Sequence, residues 1–180
     1  WVARLLGREA PTLCALAADI TATSPLFLPH LQGERAPLWD ATARGTFAGL
    51  TGATGPAELT AAVLEGVAFS ARLAFEALQR SGGVVPSEIR TGGGGAASDR
   101  WCQIRADVLN RALVRVQGRD PGALGAAVMA GVGCGAMSGL AQAAGALVLT
   151  DRVFQPDPKA AALADTRFAI WQQLYTQVRP

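Results

Sequence analysis

The stretch IRTGGGGAASDRW, residues 89–101, holds the residue types in this chain best suited to binding chemistry. Four consecutive glycines, Gly92 to Gly95, stand between a short apolar run and a plausible helix start, and Ser98 and Asp99 follow closely. Backbone without Cβ atoms can be approached closely by a ligand. A phosphate-binding P-loop would also need a lysine directly after the glycines, and the only lysine is Lys159. A dinucleotide loop is met in spacing, since Gly92, Gly94 and Ala97 satisfy G-x-G-x-x-A. The ribose-binding acid expected about 20 residues on is missing near Val116, although Arg119 could take the 2′-phosphate of NADP. A third reading starts from Asp99. An anion at a helix N-terminus satisfies the dipole itself and repels a phosphate there. A neutral base or ribose could instead lie on a floor formed by Gly94 and Gly95, with Ser98 and Asp99 at its edge. A fourth is a tight strand-to-helix turn capped by Ser or Asp, with no ligand.

Other candidates have plainer readings. His30 is the sole histidine, and Cys14, Cys102 and Cys134 are far apart and in no CxxC pair, so neither a zinc site nor a disulfide framework is indicated. The thiols are expected to be buried and reduced, and His30 to be a packed side chain. Glu34, Arg35, Asp40 and Arg44 are read as an ion-pair network shaping a cleft-side loop, and Glu65 as a partner for an arginine. Sixteen basic and fourteen acidic residues are spread without a basic block, which argues against nucleic-acid binding.

The elements that must position these residues follow from pattern. Residues 27–31 and 46–50 read as short apolar strands, and residues 58–80 as a long helix. On that helix Glu58, Glu65, Arg72, Glu76 and Arg80 recur at spacings of seven, seven, four and four. At about 100° per residue they share one narrow stripe, so most of the remaining circumference is expected to be buried. SGGVVP turns the chain into the glycine loop, residues 98–110 form a helix and ALVRVQ a strand. Strand, glycines, helix, strand is a βαβ-like unit and favours an α/β layered domain. DRVFQPDP reads as a linker, and residues 159–178 as an amphipathic helix burying Leu163, Phe168, Ile170, Trp171, Leu174 and Val178.

Between Pro121 and Thr150 no residue is charged. The length would suffice for a membrane span, for which about 20 residues are needed. Gly and Ala dominate it, however, and Gly131, Gly133 and Gly135 interrupt it. The expectation is a buried helix begun by Asp120 as cap and Pro121 at its first position, a glycine turn, and a second short helix. The opening WVARLLGREA has the pattern of neither a signal nor a transit peptide and reads as a helix cut in the middle, so the chain is expected to be part of something longer.

GTFAGLTGATGPAELTAAVLE, residues 45–65, resembles the second signature of the FGGY carbohydrate kinases, which include xylulokinase, gluconate kinase and glycerol kinase. Gly45, Phe47, Gly49, Leu50, Glu58, Leu59, Ala62, Val63, Leu64 and Glu65 each fall in an allowed class. FLPHLQGERAPLWD before it, TGGGGAASDRWCQIRADVLN after it and DPGALGAAVMAGVG further on resemble the same family in the same order. The resemblance implies an α/β domain of the actin-like ATPase, ribonuclease-H-like fold, with a mixed sheet flanked by helices. It would be an incomplete C-terminal, nucleotide-binding domain over residues 1–180. It implies that adenosine lies on Gly93, Gly94, Gly95, Ala96, Ser98 and Asp99. Glycerol kinases carry an asparagine about where Asp99 stands, and xylulokinase-like members a serine matching Ser98.

The resemblance further implies ATP and Mg2+, and a sugar or polyol substrate held through an N-terminal domain outside this chain. The catalytic aspartate and the phosphate-contacting threonine-glycine turn are expected upstream of Trp1, so no catalytic residue is assigned here and the isolated chain is expected to be inactive. No membrane or nucleic-acid partner is expected, a homodimer is left open, and the expected compartment is the cytoplasm. Two alternatives stand beside the kinase: a non-catalytic nucleotide-binding or regulatory module of the same fold, and an NADP-binding half domain.

Overall fold

A computed structural model describes residues 1–83, 85–118 and 120–178. Its centre is α3, Pro56–Arg80, the longest helix. Pro56 occupies the first position, where its missing donor costs nothing, and Glu58 reaches back to accept the Gly55 N–H at 2.9 Å. Before it come two short helices, α1 (Val2–Leu6) and α2 (Ala10–Leu16), and the antiparallel hairpin of β1 (Leu26–Leu28) and β2 (Thr46–Ala48). After it come β3 (Glu88–Thr91), a 3-10 turn at Gly94–Ala97, α4 (Asp99–Leu109) and β4 (Ala112–Val116). The chain continues through α5 (Pro121–Gly133), α6 (Leu140–Leu147) and β5 (Thr150–Phe154) into α7 (Pro158–Val178).

The three-stranded sheet has the order β3-β4-β5, with β3 parallel and β5 antiparallel to β4. It is therefore mixed. Two apolar clusters hold the domain. The larger joins β1, α3, α4 and α7 through Leu28, Leu64, Phe69, Val108, Phe168 and Trp171. The smaller joins the glycine segment and α4 to the sheet through Ala96, Cys102, Ala106, Leu113 and Phe154.

Polar groups tie the first cluster together at its most buried points. Trp171 donates its indole N–H to the Phe27 carbonyl at 2.8 Å. Arg167 on α7 meets Glu65 on α3 at 2.6 Å, both side chains being almost wholly buried. The same guanidinium donates to the carbonyls of Thr21, Ser24 and Pro25 at 2.9 to 3.1 Å. Burial pushes the Glu65 carboxyl above the usual carboxylate range, while the hydrogen bonds and charge of Arg167 pull it back.

Several elements differ from expectation. DRVFQPDP is no simple linker, because its first residues form edge strand β5, which buries Phe154 and leaves Asp151 and Arg152 at the surface. One buried side chain is too weak a pattern to read as a strand. The charged stripe of α3 turns toward α7 and α4 at Glu65 and Arg72 and leaves Arg80 exposed at its end. Arg72 bonds Asp165 of α7 at 2.6 Å and the Val108 carbonyl at 3.2 Å, while Val67, Ala71, Ala74 and Leu78 form the exposed face. On α7, Phe168 and Trp171 are buried as expected, but Ile170 and Val178 are exposed, and the polar Arg167 occupies the core.

The uncharged segment does form two helices, parted by Gly135 at φ 77°. Asp120 caps the first by accepting the Ala123 N–H at 2.9 Å. That helix is not buried: among its residues only Val128 is, and Met129 is 61% exposed. Leu124, Val128 and Val132 share its one partly buried face, and most of the small residues around them are exposed. No helix among the described residues is long and apolar enough to cross a membrane. The thiols are free as expected, yet Cys134 is exposed and Cys14 half-buried, so only Cys102 matches the buried reading.

Gly66 lies where α3 crosses β1, and a Cβ there would overlap the Phe27 carbonyl oxygen. Alanine normally favours a helix over glycine by about 1 kcal/mol. Here the sign reverses: Gly66→Ala should lower unfolding free energy by about 2 kcal/mol in urea titration. Arg167→Met should cost about 3–5 kcal/mol at neutral pH by leaving Glu65 buried without its partner. The carboxyl then has a raised folded-state pKa, so this deficit should shrink as acidification protonates Glu65.

Candidate functional site

β3 delivers the chain to the glycines at its C-terminal end, and β4 ends beside them, which is where α/β sheets place ligands. The glycines have separate local reasons. A Cβ on Gly92 would lie 2.5 Å from Pro121 Cγ at the start of α5. Gly93 has φ 81°, the left-handed region that a side chain disfavours. A Cβ on Gly95 would overlap the Trp101 ring, whereas one on Gly94 would meet open space. Gly95 therefore serves the packing of the turn, and only Gly94 of the expected two-glycine floor is open to a ligand on its Cβ side.

Ser98 caps α4, its hydroxyl accepting the Trp101 N–H at 3.2 Å. Asp99 opens that helix, a position that favours an anion. Its carboxylate bonds Arg115 of β4 at 2.7 Å and also meets Arg152 of β5. Arg115 in turn bonds Asp151 at 2.8 Å, which holds the Asp151 carboxyl below its ordinary range and raises the guanidinium above its own. Arg115 also donates to the Ala96 carbonyl at 3.3 Å. From α4, Arg105 donates to Thr91 Oγ1 at 2.9 Å and lies 4.8 Å from the Trp101 ring.

The loop separates two cavities. One, of about 600 Å³, lies between α2 and the loop. Ala10, Pro11, Cys14 and Ala15 form one wall, and Gly94, Gly95, Ala97 and Trp101 face them, with Ser98, Asp99 and Arg100 also lining it. The other, of about 510 Å³, lies toward the strand ends and is lined by Gly93, Ala96, Arg115, Gln117, Gly118 and Asp151 among others, with Gly94 and Ala97 lining both. The sequence-derived residues are thus divided: Gly94, Gly95, Ser98 and Asp99 on the first cavity, Gly93 and Ala96 on the second. Ala97 was read only as part of a dinucleotide spacing, and the wall from α2 and Arg115 escaped sequence reasoning. Small apolar residues on a short helix carry no chemical signature, and an arginine within a strand reads as solvent-facing.

A smaller cavity of about 230 Å³ lies beneath α4, with Arg100, Gln103 and Asp107 among its lining residues. Asp107 accepts the Asp157 N–H at 2.8 Å and Gln103 Nε2 at 2.9 Å, and burial pushes its carboxyl up. It ties α4 to the start of α7. Among the described residues no cluster of three or more His, Cys, Asp or Glu is placed to hold a metal. Gln117 directly follows the end of β4, and Asp151, the acid lining the cavity beside it, is engaged by Arg115; Arg119 lies outside the described residues, as does Val84 in the preceding SGGVVP turn.

The loop of residues 33–44 departs from its expected ion-pair network. Among the described residues, Glu34, Arg35, Asp40 and Arg44 form no ion pair with one another. Glu34 instead accepts the Ala36 and Leu38 N–H groups at 3.0 and 2.9 Å. Asp40 accepts from Thr42, Ala43 and the Tyr175 hydroxyl, which hold its carboxyl far below the ordinary range. Carboxylates satisfying local amides explain the loop's charge without catalysis. His30 is buried against Trp171 and Tyr175, and burial lowers its pKa.

Comparison with known proteins bears on this geometry. A family model described as FGGY family of carbohydrate kinases, C-terminal domain, matches residues 4–134. A xylulose kinase from Staphylococcus epidermidis is 32% identical over 165 residues, covering 92% of this chain and 33% of that protein. A glycerol kinase from Aromatoleum aromaticum is 39% identical over 177 residues, covering 94% and 36%. The solved xylulose kinase from Rhodospirillum rubrum superposes with a TM-score of 0.84 at 34% identity, covering 100% of this chain and 37% of that one. The chain thus spans about a third of the length of the curated relatives it matches. Its mixed sheet flanked by helices is the actin-like ATPase fold of these neighbours.

The different surroundings of neighbouring glycines make a measurable contrast. Gly95→Ala should cost about 1–3 kcal/mol through overlap with Trp101. Gly94→Ala should leave the thermal midpoint nearly unchanged, as differential scanning calorimetry of both variants would establish.

Proposed function

The chain belongs to the FGGY family of carbohydrate kinases, whose C-terminal domain it matches, and on that premise we propose that it supplies the adenosine-binding wall of an ATP-dependent sugar or polyol kinase of xylulokinase-like type. The observation that carries this reading is the 600 Å³ cavity between α2 and the glycine loop. Its two walls are mostly small and apolar, which suits a flat base, and polar groups converge only near Ser98, Asp99 and Arg100. Gly94 is the floor residue of this reading, with Gly95, Ala97 and Ser98 beside it. Asp99 borders the cavity, but its carboxylate is engaged by arginines, so its part is to hold the helix start in place. Gly93 and Ala96 belong to the turn and to the second cavity.

Phosphoryl transfer depends on positioning and on stabilising charge on the transferred group. In this reading the chain binds and orients the nucleoside. The base that takes the acceptor proton and the sugar contacts belong to the part of the protein outside these residues. Magnesium is implied by the family, but the described residues offer no carboxylate cluster to hold it. The ion is therefore assigned no ligand in this chain.

Calorimetric titration with ATP and with NADP tests the nucleoside site. ATP should bind more tightly, and Gly94→Val should weaken it at least about tenfold, equivalent to roughly 1.4 kcal/mol, with little change in midpoint. Tighter binding of NADP would overturn the reading. ADP-release assays over pentuloses, aldonates and polyols should show turnover by the longer enzyme and none by the chain alone.

A further inference from the structure

The glycine loop has no side chains with which to fix its own shape, yet both of its ends are held by arginines from outside it. Arg105 of α4 binds Thr91 Oγ1 at 2.9 Å, immediately before the first glycine, and its guanidinium stacks against Trp101. Arg115 of β4 binds the Ala96 carbonyl at 3.3 Å, immediately after the last glycine, and the Asp99 carboxylate at 2.7 Å. Asp151 from β5 holds the other side of Arg115 through Nε at 2.8 Å. A planar guanidinium spreads its donors over three nitrogens in a fixed fan that reaches a carbonyl and two carboxylates on different sides, a span that the single nitrogen of an ammonium does not match.

We propose that Arg105 and Arg115 are positioning residues for nucleotide binding, clamping the entry and exit of the glycine loop so that Gly94 is presented to the cavity in one fixed conformation. This rests on the nucleotide-site reading above. Gly92 to Gly95 would otherwise lose the most backbone entropy of any residues when a ligand orders them. Fixing the loop beforehand moves that cost from binding to folding. Neither guanidinium needs to touch the ligand. Arg115 reaches the loop through the Ala96 carbonyl and Asp99, and Arg105 through Thr91 and, at 3.5 Å, the Gly95 carbonyl.

Hydrogen exchange in nucleotide-free protein tests the clamp by itself. Arg115→Ala should speed exchange of the Gly93–Ala97 amides roughly tenfold while amides of α3 and α7 keep their protection. Arg105→Ala should act in the same direction from the other end. Arg115→Lys retains a charge between Asp99 and Asp151 and so guards against misfolding, but it should still loosen the loop. Arg90→Ala, which removes only a surface pair with Glu88, should change nothing.

ATP titration of the same proteins then tests the role in binding. Affinity should fall roughly fivefold or more in both Arg115 variants, with the folded fraction unchanged by circular dichroism. Unaltered loop exchange would overturn the clamp whatever the nucleotide does. Faster exchange with unaltered ATP affinity would overturn its role in binding. Failure of the unsubstituted protein to bind ATP, with the exchange results as expected, would overturn the nucleotide reading and leave the loop clamp as a structural fact.

Discussion

Glu65 and Arg167 meet inside the helical layer, and the joining of α7 to α3 and to the segment before β1 depends on that pair. A buried carboxylate and guanidinium are each expensive to desolvate, so they must find each other and satisfy their remaining donors. Arg167 does so by collecting the carbonyls of Thr21, Ser24 and Pro25 as well as Glu65. One side chain thereby joins α7 to α3 and to the segment leading into β1. One turn on, Trp171 repeats the arrangement through the Phe27 carbonyl. The pairing fixes which face of α3 turns toward α7 and, with it, the face left for α4. Since α4 begins at Asp99, directly after the glycine loop and its Ser98 cap, the geometry of that loop is set in part from the far side of the molecule.

The loop illustrates how two kinds of constraint share a short sequence. Gly92 and Gly95 are required by neighbours, Pro121 and Trp101, and Gly93 by its own backbone angle. Gly93 and Gly94 both have open space on the side where a Cβ would lie, but Gly94 has it without the left-handed backbone. Charge does the remaining work: Asp99, Arg115, Asp151 and Arg152 link the start of α4 to β4 and to the edge strand β5. These pairs are partly exposed, where ion pairs contribute little to stability. Their consequence here is geometric, because they tie three separate elements to one carbonyl of the loop.

Sequence and structure agree where local chemistry suffices. The order of strand, glycines, helix and strand was readable from residues 89–117, as were the Asp120 cap, a Ser or Asp cap on α4 and nearly the whole length of α3. These depend on neighbours within a turn or two. The family was readable because its signature is a local pattern of fixed spacing, here residues 45–65. β5 was missed because an edge strand with one buried residue, Phe154, carries almost no periodic signal. The α5 helix was expected to be buried because it is apolar, but burial needs a partner surface as well as composition.

What the amino-acid sequence determined by itself was the set of elements, the family and the location of the loop. Tertiary structure alone decided that the charged stripe of α3 turns inward to Arg167 and Asp165, that Asp99 faces two arginines, and that α2 supplies the second wall of the cavity. The reason is physical. Helix periodicity states which residues share a face, but the direction of that face is chosen by pairing energies between groups distant in the chain. Glu65 and Arg167 lie 102 positions apart, and no local pattern encodes which arginine a buried glutamate will find.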